Sequence, residues 1–264
     1  MSWTRISEHL HRWDDTCNVY CIAASGRGIL IDAGSGDVLD HLGEIGVEGI
    51  DWVLHTHHHR DQAWGTNRLR NSGAKVAVPE HERHLFEDAE LFWQHKRVYD
   101  NYNDRSTFFS VAENIAVDAE LLDYETFEWE GISLEVLPAK GHTHGSSALI
   151  GAIDGRTVAF TGDLMQAGGR LYQYHGIEYG YGDRVGALFT WQSARALRKR
   201  APDVGLPSHG ETIEDVVGDC GRLEDGLEAM ARLGGGARMF GANQLTHLDV
   251  LPEARYIQLS RHLL

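Results

Sequence analysis

The chain has 264 residues and a mass of 29.4 kDa, enough for one large domain or two small ones around a substantial buried core. Hydrophobic residues make up 42% and charged residues 24%, ordinary proportions for a soluble globular protein. With 39 acidic against 24 basic residues the net charge is −15, which repels phosphate backbones and argues against nucleic acid as a partner.

The N-terminal stretch MSWTRISEHLHRW is polar and charged, with no apolar export core and no cleavage site. No apolar run approaches the roughly 20 residues needed to cross a bilayer, so a cytoplasmic location away from membranes is expected. NVYCIAAS and GRGILIDAG are apolar, β-prone segments around a Ser-Gly turn, and predict a hairpin. Cys17 and Cys21 lie four apart on the first of these strands, about 13 Å by strand rise, too far for a disulfide. Together with Cys220 they read as reduced, mostly buried thiols. Residues 37–46 predict a short helix and GIDWVLHTH a buried strand. DQAWGTNRLRNSG has helical character with a glycine stop, and AKVAVP is a further strand. Residues 80–97 predict a longer, charged helix. ETFEWEGISLEVLPA and SALIGAIDGRTVAFTGD predict two hairpins with Glu-Gly and Asp-Gly turns. A helix is expected around 185–200, with RALRKR as its cationic end, then a short strand VGLP. The last helix carries Ile213, Val216, Val217, Cys220, Leu223, Leu227 and Met230 at three-to-four spacing. Hairpins mixed with crossover helices predict an α/β (α+β) architecture of two mixed sheets with helices outside.

The run VLHTHHHRDQ places four histidines within five positions, where the strand DWVL ends. In extended chain His57, His59 and Asp61 share a face while His58 points away. Neutral imidazole and carboxylate are ligands that Zn²⁺ prefers. A solvated loop or a polar core is the competing reading, and the better one for His55 and His58. Three further strand ends also stop on a metal-competent side chain: His142 in KGHTHGSS, Asp163 in VAFTGDLM and His209 in VGLPSHGE.

The ordered set THHHRD, GHT, TGD and SHG resembles the metallo-β-lactamase-fold hydrolase superfamily, over residues 1 to about 215. The resemblance implies a four-layer αββα sandwich with a metal site at one edge. It implies His57, His59 and His142 around a first metal, Asp163 bridging to a second, and Asp61 and His209 at the second. Asp32 in LIDAG matches an acidic position that supports such a site from below. Two departures stand out. Gln62 replaces the usual histidine, and His144 replaces the usual proline as an extra imidazole that can ligate or touch substrate. The expected cofactor is therefore Zn²⁺, one ion tightly bound and a second weaker or absent, with Fe or Mn as alternatives.

The implied reaction is hydrolysis of an ester, lactone, thioester or amide-type small molecule by metal-activated water, with Asp61 and Asp163 catalytic. Tyr172, Tyr174, Tyr179 and Tyr181 sit in a glycine-rich segment and are expected to contact substrate. The aromatic insert FWQHKRVYDNYNDRSTFF is expected to form the opposite wall. A single-iron oxidoreductase resembling persulfide dioxygenases is the main alternative, because a weakened second site suits one metal. A non-catalytic scaffold is another. Residues 1–235 are expected to form the hydrolase domain, and 236–264 an appendage or the start of a further segment.

Overall fold

The apolar segment NVYCIAA forms strand β3 (Asn18–Ala24) of a seven-stranded sheet in a computed structural model that describes residues 2–90, 111–171 and 186–233. Tyr20 and Ile22 face the second sheet, while Val19 and Cys21 face the helices outside, as a period of two demands. The sheet runs in chain order: β1 (Trp3–Arg5), β2 (Leu10–Asp14), β3, β4 (Arg27–Ile31), β5 (Gly49–Leu54), β6 (Lys75–Pro79) and β7 (Ala119–Leu121). Pairing is antiparallel through β4 and parallel from there on. The second sheet has β8 (Thr126–Trp129), β9 (Ile132–Pro138), β10 (Ser147–Ile153) and β11 (Arg156–Gly162) as an antiparallel meander, with β12 (Val204–Pro207) parallel to β11.

Three apolar layers hold the sandwich together. Between the sheets, Ile29, Ile31 and Leu54 meet Leu134, Leu149, Phe160 and Leu206. Outside the first sheet, Leu30 and Val53 pack on Val38 and Leu42 of a 3₁₀ helix (Asp37–Ile45) and on Leu69 of α2 (Thr66–Asn71). Outside the second sheet, Ala148, Ile150 and Ala159 pack on α4 (Gly186–Arg200) and α5 (Val216–Leu233) through Leu197, Cys220 and Leu223. The layer order is αββα, as the sequence predicts. The three expected hairpins close through Ser25-Gly26, Glu130-Gly131 and Asp154-Gly155, each with positive φ at both positions. Cys17, Cys21 and Cys220 are free and buried. Among the described residues no helix is long and apolar enough to cross a membrane.

The structure differs from the sequence expectations in places. β1, β2 and β7 were not expected, because strands of three to five residues carry too few alternations to stand out. The helical segment after the histidines is split into α1 (Arg60–Ala63) and α2. The break falls at Gly65, whose N–H bonds to the carbonyl of Gly34 at 2.7 Å. A Cβ on Gly65 would lie 2.1 Å from the Gly36 nitrogen, so two backbones meet where a side chain cannot fit. The predicted 80–97 helix is α3 (Arg83–Glu87) in its described part. Residues 91–110, the insert included, and the 236–264 tail lie outside the described residues.

One polar clip joins the two sheets at the end of the β10–β11 hairpin. The Asp154 carboxylate accepts from Ser7 Oγ at 2.6 Å, His9 N–H at 2.8 Å and His9 Nδ1 at 2.6 Å. Burial works against its ionisation, but the Ser7 and His9 bonds outweigh it and hold the carboxyl at about 2. The bond to Asp154 in turn raises His9. The carboxylate's contribution is present above its unfolded pKa and is lost as pH falls toward 2. The histidine's contribution is complete below its unfolded pKa and fades as pH rises through the raised one. Asp154→Asn, which tolerates the same positive φ, is expected to lower stability by about 1 kcal/mol. The gap in urea midpoint should be widest between about pH 4 and 6.5. A gap that stays constant from about pH 3 to 9 would show that the charge pair contributes nothing.

Candidate metal centre

The site is built at the ends of strands, starting with Asp32 after β4. Asp32 has a φ of 62° and is buried, and its carboxylate accepts from Thr56 N–H and Thr56 Oγ1, both at 2.9 Å. Because the Thr56 hydroxyl proton goes to Asp32, its oxygen accepts from His57 Nδ1 at 3.0 Å. His57 Nε2 is left as a bare lone pair, buried and without a hydrogen-bond partner, 3.6 Å from Asp163 Oδ2. Burial, and then His142, push the His57 imidazole down to about 4 against the pull of Asp163, so this ring is neutral. Asp32 is thus linked to His57 through Thr56.

His59 and His142 complete the first cluster. His142 arrives on the loop after β9, with Nε2 2.9 Å from His59 Nδ1 and 3.2 Å from Asp163 Oδ2. The three rings meet edge to face, with centroids 4.6 to 4.9 Å apart. The donor atoms of His57, His59, His142 and Asp163 all lie within 4.8 Å of one another. Ligands on one tetrahedral zinc, with bonds of about 2 Å, sit about 3.3 Å apart. The separations of 2.9, 3.2 and 3.6 Å bracket that value, so the donor set fits a cation of this class.

Asp61, Asp163 and His209 form a second cluster within the same limit. His209 Nε2 is 2.9 Å from Asp61 Oδ2 and 3.7 Å from Asp163 Oδ1. Asp163 therefore turns one oxygen to each cluster. Burial opposes its charge, yet His142, His209 and His57 outweigh that and hold the carboxyl well below the usual range. Burial likewise opposes a proton on His209, but Asp61 and Asp163 raise it. The His209 loop follows β12 and is tied to the other sheet: Asn18 Nδ2 donates to the carbonyls of Pro207 and Gly210, both at 2.9 Å, and Tyr20 Oη to Pro207 at 2.7 Å.

Gln62 is buried beside the second cluster. Its Nε2 donates to Asp61 Oδ2 at 2.9 Å and lies 3.4 Å from His209 Nε2, while Oε1 is buried without a partner. The opposite amide orientation would set an oxygen against a carboxylate oxygen. His144 is exposed and belongs to neither cluster. Tyr172, Tyr174, Tyr179 and Tyr181 lie outside the described residues. His55 and His58 behave as polar-core residues. His55 Nε2 is 3.0 Å from Thr66 Oγ1, and His58 turns away to Glu82.

Glu82, at the start of α3, went unnoticed in the sequence because EHERH reads as ordinary helix surface. It is fully buried and accepts from His58 N–H at 2.7 Å, His58 Nδ1 at 2.9 Å, Gly145 N–H at 2.9 Å and Thr143 Oγ1. Burial opposes its charge, but His58, His57 and Thr143 prevail and hold the carboxyl at about 2.

Comparison with known proteins gives a family match and several structural ones. The model of the metallo-beta-lactamase superfamily matches residues 12–213. A hydroxyacylglutathione hydrolase of Aeromonas salmonicida (strain A449) is 28% identical over 159 residues, 59% of this chain and 50% of its own length. The chain thus spans about half the length of the curated relatives it matches. The subclass B3 metallo-beta-lactamase BJP-1 of Bradyrhizobium japonicum superposes with a TM-score of 0.65 at 17% identity, covering 90% of this chain and 96% of that one. A metallo-beta-lactamase of Cronobacter sakazakii, described by its HARLDQ motif, superposes at 0.61 and 18% identity, covering 100% and 94%. Its motif ends in the same Asp-Gln pair as HHHRDQ here.

Proposed function

Because the chain belongs to the metallo-beta-lactamase superfamily, we propose that it is a metal-dependent hydrolase that cleaves the thioester of a small molecule. The observation that carries hydrolysis is the pair of adjoining clusters, His57, His59, His142 and Asp163 beside Asp61, Asp163 and His209, with His57 Nε2 buried and without a hydrogen-bond partner. The kinship over 159 residues with hydroxyacylglutathione hydrolases favours a thioester over an ester, lactone or amide. In this reading His57, His59, His142 and Asp163 hold the first cation, and Asp61, Asp163 and His209 a weaker second. A zinc-class ion there supplies Lewis acidity and a hydrolytic water with a pKa of about 7. Asp61 presents Oδ2 to His209 and Gln62, and its Oδ1 takes the proton of the attacking water. The acyl carbon gains hydroxyl as its bond to sulfur breaks, and the proton taken up by Asp61 passes to the departing thiolate.

Metal analysis of the purified full chain, combined with a panel of thioesters, esters, lactones and β-lactams, tests this reading. About one tightly held zinc-class ion is expected, with thioester kcat/KM at least about tenfold above the other classes. Chelation should abolish turnover and added Zn²⁺ restore it. Bound iron with oxygen consumption would instead establish the single-iron oxidoreductase, and faster lactone cleavage would overturn the thioester.

A further inference from the structure

Glu82 joins the two ligand-bearing segments of the first cluster, one carboxylate oxygen to each. Oε2 takes the N–H and Nδ1 of His58, the residue between His57 and His59. Oε1 takes the N–H of Gly145 and the hydroxyl of Thr143, which follows His142 directly. The two segments are otherwise far apart in the chain, with 83 positions between His59 and His142. A carboxylate is planar and its two oxygens have a fixed separation, so it acts as a spacer as well as an acceptor. We propose that Glu82 is a positioning residue that sets the distance between the His57–His59 segment and the His142 loop, and through it the affinity and geometry of the first cation site.

Gly145 gives this an independent support. A Cβ there would lie 2.5 Å from Glu82 Cγ and 2.8 Å from His81 Cβ, so the loop is kept bare where the glutamate stem passes. Thr143 is also held by Ser146, whose Oγ accepts its N–H at 3.1 Å, so the loop has a set shape when it meets the carboxylate. Glutamine cannot replace the spacer. Its oxygen can serve one segment, but its NH₂ then faces the donors of the other and drives the two apart. Partners behind a metal ligand typically govern metal affinity by about ten- to a hundredfold.

This inference rests on the metal-centre reading, and the experiment separates the two. Zn²⁺ affinity of the full chain is measured by competition with a chromophoric chelator, and site geometry by the visible spectrum of the Co²⁺ form. Glu82→Gln and Gly145→Ala should each weaken the first Zn²⁺ by about tenfold or more and alter the Co²⁺ bands. Thr143→Val removes one of the four donors and should weaken binding by about threefold. Leu197→Ala, a core truncation between α4 and α5, should lower the melting temperature and leave affinity and spectrum unchanged. That contrast separates positioning from general stability. Wild-type affinity and spectrum in Glu82→Gln and Thr143→Val would overturn the role of Glu82. If Glu82→Gln does not fold, unchanged binding in Thr143→Val overturns it alone. A wild-type chain that binds no Zn²⁺ would sink the metal-centre reading instead.

Discussion

Asp163→Asn is expected to lower kcat/KM by about three orders of magnitude, equivalent to about 4 kcal/mol, in a chain that remains folded. The residue faces both clusters at once, with Oδ2 3.2 Å from His142 Nε2 and 3.6 Å from His57 Nε2, and Oδ1 3.7 Å from His209 Nε2. An amide keeps the shape but replaces one oxygen with an NH₂ that has no lone pair to offer a cation. It also removes the negative charge that lets three surrounding imidazoles gather around a cation in a buried site. The apo chain should lose little, because the strand that delivers Asp163 is held by apolar neighbours such as Phe160. Circular dichroism should therefore match the wild type while bound metal and turnover fall together. Turnover within about tenfold of wild type would remove the metal mechanism from consideration.

Gln62→His is expected to strengthen the second site by one to two orders of magnitude, raising bound zinc toward two ions per chain. As it stands, Gln62 turns its nitrogen toward Asp61 and His209 and leaves Oε1 buried without a partner. It thus ties up the Asp61 oxygen that faces His209 without contributing a donor of its own. An imidazole at that position adds a neutral nitrogen ligand and removes the orphaned carbonyl. His58 is bound to Glu82, and His144 is exposed and stands outside both clusters. Equilibrium dialysis with Zn²⁺ reads the stoichiometry directly. Two equally tight ions in the wild type, unchanged by the substitution, would make the amide neutral and the explanation wrong.

The two expectations differ in how visible their residues were beforehand. Asp163 and His209 stand at strand ends, where a polar side chain interrupts an apolar run, and such local contrasts show in a bare sequence. The layer order also showed, because apolar hairpin segments mixed with crossover helices imply two sheets with helices outside. The supporting residues did not show. Glu82 meets its partners 24 and 63 positions away, and Asn18 meets Gly210 at 192, with no period linking them. Gln62 was visible as a departure, but the direction in which its amide points depends on Asp61 and His209 in space.

The clusters also span the seam of the sandwich. His57, His59 and Asp61 follow a strand of the seven-stranded sheet, whereas His142, Asp163 and His209 follow strands of the five-stranded one. An ion held between them is a cross-link between two half-molecules, so its binding free energy is shared with folding. Each tenfold rise in free cation above its dissociation constant adds about 1.4 kcal/mol to the stability of the whole chain. With such an ion bound, the lifetime of the protein in a cell would be coupled to metal supply, because an unloaded chain lacks that contribution to its stability.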